Sequence, residues 1–269
     1  MQYVNFGNLK VSRFILGSNP FSGFSHQSPE TDLSMKRYFT AARIKQTLHA
    51  AAALGINTLI GRSDAHVMRL LLEYWDEGGT LQWFAQTCPE LGGPEVSIAR
   101  AASGGAHGCY IHGGVMDFLL AQQRLDEVPA LIDQIRQKGM LAGIAGHNPG
   151  VFEWAAAHLD IDFSLCCYYN PTRRDERAEH VSGMAESYRE KDRQAMTAQI
   201  AGLRWPVVHY KILAAGRNNP AEAFDFAARQ LRDNDAVCVG VGPADALAML
   251  RQDVELLDKS LATVALPAI

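Results

Sequence analysis

Short apolar runs alternate along the chain with longer segments whose apolar residues recur at helical spacing. Most of these runs end in glycine or polar residues, which is typical of a strand that leads into a loop and a helix. The runs predict eight strands, at residues 13–17, 58–61, 82–87, 109–112, 140–145, 162–168, 207–216 and 236–241. The segments between them predict helices at residues 41–54, 65–77, 94–103, 115–124, 128–138, 151–158, 188–202, 220–231 and 244–257. Eight successive units of this kind predict an α/β fold, a (β/α)8 TIM barrel, in which residues 1–269 form a single domain.

Two segments lie outside the repeating units. Residues 2–11 turn at Gly7-Asn8 and predict an N-terminal β-hairpin before the first barrel strand. Residues 21–35 follow the first strand, are rich in polar residues, and predict a loop long enough to cover an active site. The sequence leaves open whether this loop closes over the site.

The composition narrows the class of protein. The chain has 269 residues, 48% of them hydrophobic, and a net charge of −4. This size suits one barrel, and without a long basic run neither nucleic acid nor an anionic membrane is an expected partner. The sequence shows no signal-peptide pattern and no apolar run of about 18 residues, so we expect a soluble, cytoplasmic protein with a small-molecule substrate. Its five cysteines favour reduced thiols, and homo-oligomer formation is left open.

Four segments carry a resemblance to a known family. The opening YVNFGNLKVSRFILGSNPF resembles the hairpin and first strand of the aldo/keto reductase superfamily. AAALGINTLI is similar to that family's passage from the first helix to the second strand, YIHGG to its histidine-bearing fourth strand, and YYNP to the end of its sixth strand. Together the segments span most of the chain, and the resemblance implies the family's barrel fold.

The same resemblance implies a changed chemistry. The family's hydride transfer uses an Asp, a Tyr, a Lys and a His around the substrate carbonyl. The His matches His112, but the Asp falls on Ile60, the Lys falls on Cys88, and residues 62–67 contain no Tyr. Residues 242–247 also lack a clear counterpart of the basic residues that hold the phosphate of NADPH. Because carbonyl reduction needs an acid catalyst, we do not favour NADP as the cofactor.

Catalytic groups of TIM barrels lie at the carboxyl ends of the strands. Polar residues at the predicted ends are Asn19, Arg62, Asp64, His66, Cys88, His112, His147, Asn148, Tyr169, Asn170, Lys211 and Arg217. Of these we predict as catalytic residues His112, His147, Lys211 and Tyr169. We predict as substrate-binding residues Asn19, Arg62 and Asn170. The family resemblance implies that Tyr169 stacks on a planar or sugar ring; the alternative is a rim tyrosine without a ligand.

Several of these side chains are of the types that bind metal ions. Cys88, His112 and His147 end three consecutive strands, and Asp64 and His66 follow the strand before them. Because adjacent strands lie roughly 5 Å apart, the set predicts a divalent metal, Zn²⁺ first and Mn²⁺ second, that polarises a carbonyl or activates a water. The alternative is that His112 hydrogen-bonds the substrate, Cys88 fills space and His147 is a loop residue.

Lys211 lies inside an apolar run, where a charged side chain is costly unless it is paired or exposed in the lumen. Strand alternation places Lys211 and His209 on the same face, and both are site candidates if that face is the lumen. Lys211 would then form a Schiff base, act as a base of lowered pKa, or bind a carboxylate or phosphate. The alternatives are a lysine that points out between helices or one held by a buried carboxylate.

Glycines follow the last two strands, in AAGR at residues 214–217 and in GVGP at residues 240–243. We predict an anion site there, in which Gly216, Gly240 and Gly242 let main-chain amides approach the anion and Arg217 clamps it. The alternative is that these glycines only end their strands. The charged run RRDERAEH, residues 173–180, predicts a solvated surface or, as the alternative, a lid over an acidic substrate.

These features predict an enzyme related in fold to aldo/keto reductases but altered in chemistry. We predict a lyase, isomerase or hydrolase of carbohydrate metabolism, acting on a small polar carbonyl, sugar-like or phosphorylated substrate, with a metal as an optional aid. One alternative is a divergent NADP-dependent carbonyl reductase that uses another proton donor, such as Tyr169 or a water held by His112. A second alternative is a non-catalytic barrel that binds a metabolite.

Overall fold

The predicted strands form a closed parallel barrel in the computed structural model, which describes residues 1–179 and 181–264. Each barrel strand pairs with the next along the chain, and the last pairs with the first. The barrel consists of β3 (Phe14–Gly17), β4 (Thr58–Arg62), β5 (Gln82–Gln86), β6 (Gly108–Ile111), β7 (Leu141–Gly146), β8 (Phe163–Cys167), β9 (Val207–Tyr210) and β10 (Ala236–Val239). Before it, β1 (Tyr3–Phe6) and β2 (Leu9–Ser12) form an antiparallel hairpin. The predicted fold class is therefore confirmed.

Helices follow the barrel strands and pack around them. They are α1 (Pro29–Tyr38), α2 (Ala41–Ala53), α3 (Ala65–Asp76), α4 (Pro94–Ser103), α5 (Gly113–Ala121), α6 (Val128–Gln137), α7 (Pro149–His158), α8 (Glu190–Ala201), α9 (Pro220–Gln230) and α10 (Ala246–Val264). The predicted bounds lie close to these, except that α10 continues well past residue 257. Within the described ranges no helix is both long and apolar enough to cross a membrane.

Two local predictions were wrong. The predicted loop at residues 21–35 contains the start of α1, which is capped by the Ser28 hydroxyl at 3.2 Å from the main-chain nitrogen of Thr31 and has Pro29 in its first turn. The predicted strand at residues 207–216 ends at Tyr210, because Lys211 takes a left-handed conformation with φ of 56°. Strand alternation therefore cannot continue through Lys211.

The hairpin closes the amino-terminal end of the barrel. Val4, Phe6 and Val11 are buried in one cluster with the barrel residues Phe84 and Phe163. The rings of Phe6 and Phe163 stack with their centroids 5.9 Å apart, a favourable offset geometry for aromatic side chains. Because bulky rings fill this end, the space that a ligand can use lies at the opposite end, where the strands terminate.

Candidate active site

A cavity of about 790 Å³ opens at the carboxyl ends of the barrel strands. Its walls are the strand ends, the segments after β3, β8 and β9, and part of α10. The predicted site residues that line it are Asn19, Arg62, His112, His147, Lys211, Gly216, Gly240 and Gly242. A cavity of this size can enclose a small metabolite.

A chain of three side chains crosses one wall of the cavity. His147, just after β7, has its Nδ1 2.6 Å from Oδ2 of Asp117, which α5 supplies. On the other side of the ring, His147 Nε2 lies 3.2 Å from the phenolic oxygen of Tyr210, the last residue of β9. The main-chain nitrogens of His147 and Asn148 also donate to Asp117 Oδ1, at 3.1 and 3.0 Å. We call Asp117, His147 and Tyr210 the relay.

The hydrogen bonds and the burial of the relay fix its protonation. The Asp117 carboxylate accepts a hydrogen bond from His147 Nδ1, which leaves Nε2 as the acceptor for the Tyr210 hydroxyl. Burial lowers the pKa of His147, and the neighbouring Asp117 offsets only part of this effect. Burial also raises the pKa of Tyr210 well above its usual value. At neutral pH the relay therefore holds a neutral imidazole against a protonated phenol.

His112, just after β6, occupies a neighbouring part of the wall. Its main-chain nitrogen donates to the Thr87 hydroxyl at 2.9 Å, which anchors the residue. Its ring Nδ1 is buried and has no hydrogen-bond partner in the part of the chain that the structure describes. Burial lowers the pKa of His112 well below its usual value, and His147 and Arg174 act in the same direction. His112 therefore contributes a neutral imidazole to the cavity wall.

Lys211 lies in the cavity wall, as expected if its side chain is exposed in the barrel lumen. Its Nζ lies 3.3 Å from Nδ1 of His26, and that nitrogen is 2.7 Å from Oε1 of Glu186. Burial lowers the pKa of Lys211, and the Glu186 charge opposes this in part. The amine is thus brought towards its neutral, nucleophilic form while it stays within the cavity wall.

The predicted shared face of Lys211 and His209 is wrong. His209 is fully buried on the outer side of the barrel, where its Nδ1 is 2.9 Å from the Tyr168 hydroxyl and its Nε2 is 3.3 Å from Asp235 Oδ2. The left-handed conformation of Lys211 reverses the direction that strand alternation would give its side chain. Lys211 is therefore in the cavity wall and His209 is in the packing between barrel and helices.

The segments around Lys211 are tied together by hydrogen bonds. Gln27 Nε2 donates to the carbonyl oxygen of Ala215 at 2.8 Å, and the Arg217 guanidinium donates to the carbonyl oxygen of His26 at 3.1 Å. His26, Lys211 and Ala215 all have positive φ, at 57°, 56° and 55°. Such conformations cost about 1 kcal/mol or more for residues other than glycine, so the contacts between the two segments hold them in a strained arrangement.

Arginines add positive charge to the site. Arg62 pairs with Asp64 at 2.7 Å and with Glu90, and its guanidinium lies over the ring of Phe24. Arg174, which lies in the charged run of residues 173–180, also lines the cavity, and its guanidinium donates to the carbonyl oxygen of Glu179 at 2.6 Å. Part of that run is thus in the cavity wall; its last residue, His180, lies outside the described residues.

The structure does not bring the predicted metal ligands together. Cys88 is fully buried, with its Sγ 3.6 Å from the carbonyl oxygen of Gln86, and burial raises the pKa of its thiol. His66 is exposed, and Asp64 caps α3 through the main-chain nitrogen of Val67 at 2.9 Å. Among residues 1–179 and 181–264, no three His, Cys, Asp or Glu side chains form a group that could hold a metal ion.

Three other predicted site residues lie in the loops after the strands and not in the described cavity wall. The Tyr169 hydroxyl accepts a hydrogen bond from Asn218 at 2.7 Å, and its ring packs edge-on against Tyr188. The guanidinium of Arg217 lies over the same Tyr188 ring, 4.4 Å from its centroid. Tyr169, Asn170 and Arg217 do not contribute to the described wall of the cavity.

Several main-chain amides of the predicted anion site already donate hydrogen bonds within the protein. The main-chain nitrogens of Gly216 and Arg217 donate to the carbonyl oxygen of Leu213 at 2.9 and 3.1 Å, so the turn uses them itself. Gly242 donates to the Met249 sulfur at 3.1 Å, a weak acceptor. The amides of Gly216, Arg217 and Gly242 are therefore already engaged, and the basic side chains that line the cavity are Arg62, Arg174 and Lys211.

Comparisons with known proteins concern the fold. No family model and no curated protein matches the chain. The putative aldo-keto reductase from Pseudomonas aeruginosa is 16% identical, with 96% of each chain covered and a TM-score of 0.64. The aldo-keto reductase AKR11C1 from Bacillus halodurans, in its holo form, is 13% identical, with 100% of this chain and 98% of that chain covered and a TM-score of 0.61.

A barrel with a different activity is also similar. The truncated 3-deoxy-D-arabino-heptulosonate 7-phosphate synthase from Thermotoga maritima is 14% identical, with 98% of this chain and 93% of that chain covered and a TM-score of 0.57. The fold and the cavity define a TIM-barrel protein. Its architecture is similar to that of the aldo-keto reductases, which confirms the predicted resemblance at the level of the fold. Because one barrel supports many reactions, the function has to be argued from the cavity.

Proposed function

We propose that the protein is a lyase that forms an imine between Lys211 and a small, polar carbonyl substrate. The observation that carries this proposal is the position of Lys211. It is a lysine of lowered pKa in the wall of the cavity that the Tyr210–His147 end of the relay also lines. A nucleophilic amine next to a separate acid–base group is the minimum that imine-dependent bond cleavage requires.

The chemistry would proceed in balanced steps. The Lys211 ammonium first gives up a proton to water, and the neutral amine adds to the carbonyl carbon. The carbinolamine takes the proton back and loses its hydroxyl group as water, which leaves a protonated imine. The hydroxyl group two carbons from the imine then loses its proton to the Tyr210 oxygen, while the phenolic proton passes to His147 Nε2. The carbon–carbon bond breaks, its electron pair moves to the imine nitrogen as an enamine forms, and an aldehyde leaves. The imidazolium, stabilised by Asp117, returns the proton to the enamine carbon, and water releases the product from Lys211.

Arg62, Arg174 and His112 would bind the substrate. The two arginines line the cavity and suit a phosphate or carboxylate group. His112 has an unpaired buried nitrogen and would hydrogen-bond a substrate oxygen. Of the predicted substrates, a small polar carbonyl, sugar-like or phosphorylated compound, the phosphorylated kind suits this set of side chains best.

Borohydride trapping tests the proposal. The protein is incubated with glycolaldehyde, dihydroxyacetone phosphate, glyceraldehyde 3-phosphate or pyruvate, reduced with sodium borohydride, and examined by intact mass and peptide mapping. We expect a single adduct on Lys211 that disappears in Lys211→Arg and persists in Lys10→Arg, since Lys10 is exposed on the hairpin. Equal labelling of Lys10 and Lys211, or no adduct with any of these compounds, would refute the imine.

One observation favours a second candidate, an NADP-dependent carbonyl reductase. The Tyr210 hydroxyl lines the cavity and contacts His147, so Tyr210 supplies a proton donor of the kind that Tyr169 would have provided. An NADPH titration that follows tryptophan fluorescence, together with a search for NADPH oxidation by the same carbonyl compounds, tests this candidate. Micromolar binding with oxidation that Tyr210→Phe abolishes would favour it over the lyase.

A further inference from the structure

A buried carboxyl group lies in the part of the cavity wall that α10 forms. Asp253 is 3% exposed and lines the cavity beside Met249 and Gln252 of the same helix. Its Oδ2 is buried and has no hydrogen-bond partner among residues 1–179 and 181–264. The main-chain nitrogen of Gly242, another residue of the wall, donates to the Met249 sulfur at 3.1 Å. The structure thus leaves a strong acceptor unsatisfied inside a binding cavity.

Burying the Asp253 carboxyl group in this way lowers the free energy of unfolding of the protein. Burial without a partner penalises a carboxylate, and burial raises the pKa of Asp253 to about 7. Asp258, on the same helix, shows the ordinary alternative, because it is 43% exposed and pairs with the amino terminus at 3.7 Å. A buried, unpaired carboxyl group in a cavity is what a ligand of opposite charge would satisfy.

The rest of the wall carries basic side chains as well as the carboxylates of Glu90, which pairs with Arg62, and Glu179. Arg62, Arg174 and Lys211 line the cavity at the strand ends and in the segment after β8, and all three act to lower the pKa of His112. The cavity therefore has cationic groups at the barrel mouth and a carboxyl group on α10. A ligand that complements it carries both an anionic and a cationic group.

We propose that Asp253 binds the ammonium group of the substrate, while Arg62 and Arg174 bind an anionic group of the same molecule. The proposal deepens the proposed function by naming its substrate class, an amino carbonyl compound with a phosphate or carboxylate group, and it rests on that function only for the carbonyl. A hydroxyl group would supply a hydrogen bond to Asp253 but no charge to compensate its carboxylate. We therefore assign an ammonium group, and not a hydroxyl group, to the Asp253 site.

Three ligands without a carbonyl group test the ammonium site separately from imine chemistry. They are an aminoalkyl phosphate, the matching hydroxyalkyl phosphate and the matching alkyl phosphate, with chains of about three to six carbons to scan the cavity. Their dissociation constants are measured by titration calorimetry with the intact protein, with Asp253→Asn, and with Asp258→Asn as the control on the same helix.

We expect the best aminoalkyl phosphate to bind at least about tenfold more tightly than both partners to the intact protein and to Asp258→Asn. This preference should vanish in Asp253→Asn, with circular dichroism showing that the variant is folded. The proposal is overturned if the hydroxyalkyl phosphate binds equally well, if the preference survives in Asp253→Asn, or if none of the three binds. Lys211→Arg should lose borohydride trapping and keep the ammonium preference, so the two proposals fail independently.

Discussion

Replacing the buried Asp253 carboxyl group is expected to stabilise the protein at neutral and basic pH. Burial raises the pKa of Asp253 from the ordinary value of 3.8 to about 7. At about 1.4 kcal/mol for each pKa unit, the shift corresponds to about 4 kcal/mol at a pH above 7. Asn has nearly the same shape and cannot ionise, so Asp253→Asn should recover up to about 4 kcal/mol in the free energy of unfolding at about pH 8.

The sign follows from proton binding. Between about pH 4 and 7 the folded protein holds a proton on Asp253 that the unfolded chain has lost, so the contribution of this group to stability falls as the pH rises. Below that window Asp253 is protonated in both states and Asp253→Asn should match the parent; above it the difference should level off. Other titrating groups cancel when the two proteins are compared at the same pH.

Urea unfolding, followed by tryptophan fluorescence at about pH 4.5, 6 and 8, measures the difference. Asp258→Asn serves as the control on the same helix, because the Asp258 side chain is 43% exposed to solvent. The reasoning is refuted if Asp253→Asn is no more stable than the parent at about pH 8, or if the difference is the same at every pH.

Three further substitutions test other parts of the molecule. Tyr210→Phe should lower kcat about 10²- to 10⁴-fold because it interrupts the relay, while borohydride trapping on Lys211 continues; loss of trapping would show that Tyr210 is needed earlier. Asp235→Ala should cost about 3–5 kcal/mol in urea unfolding, since it leaves the guanidinium of Arg232 without its buried partner; a cost below about 1 kcal/mol would contradict this. Ala215→Gly should raise stability by about 1 kcal/mol and increase Tm, because glycine relieves the φ of 55°; a lower Tm would mean that the turn is not strained.

Hydrophobic patterning was sufficient for the barrel but not for every helix. The strands are short apolar runs closed by glycine or polar residues, and this signal does not depend on distant contacts. α1 was missed because only Asp32 and Met35 of its residues are buried, so it has no apolar stripe to recognise. Its usable signal was local, namely Ser28 followed by Pro29, a typical helix start.

The site was predictable where it depends on strand ends and not where it depends on side-chain direction. His112 and His147 were found because each directly follows a strand. Tyr210 was hidden in an apolar run, although its position two residues after Val208 gives it the same inward face. Asp117 and Asp253 come from helices, and their relation to the cavity arises from packing that no local pattern encodes.

The separation of the predicted metal ligands has the same origin. Proximity of strand ends limits the separation of main-chain atoms, but the side chains can still point to different layers. Cys88 points into the core, His66 into solvent and the Asp64 carboxylate towards the start of α3. Three residues that follow neighbouring strands therefore lie in three different environments.

The contacts that join Gln27 to Ala215 and Arg217 to His26 bear on how ligands are exchanged. Because hydrogen bonds link the segment before α1 to the turn after β9, we expect the two segments to move away from the barrel together. Lys211 would move with them, so each opening would carry the amine away from Tyr210. A substrate that dissociates before the segments close would then leave without reacting with Lys211. The rate at which the two segments open and close together would set the upper limit on turnover.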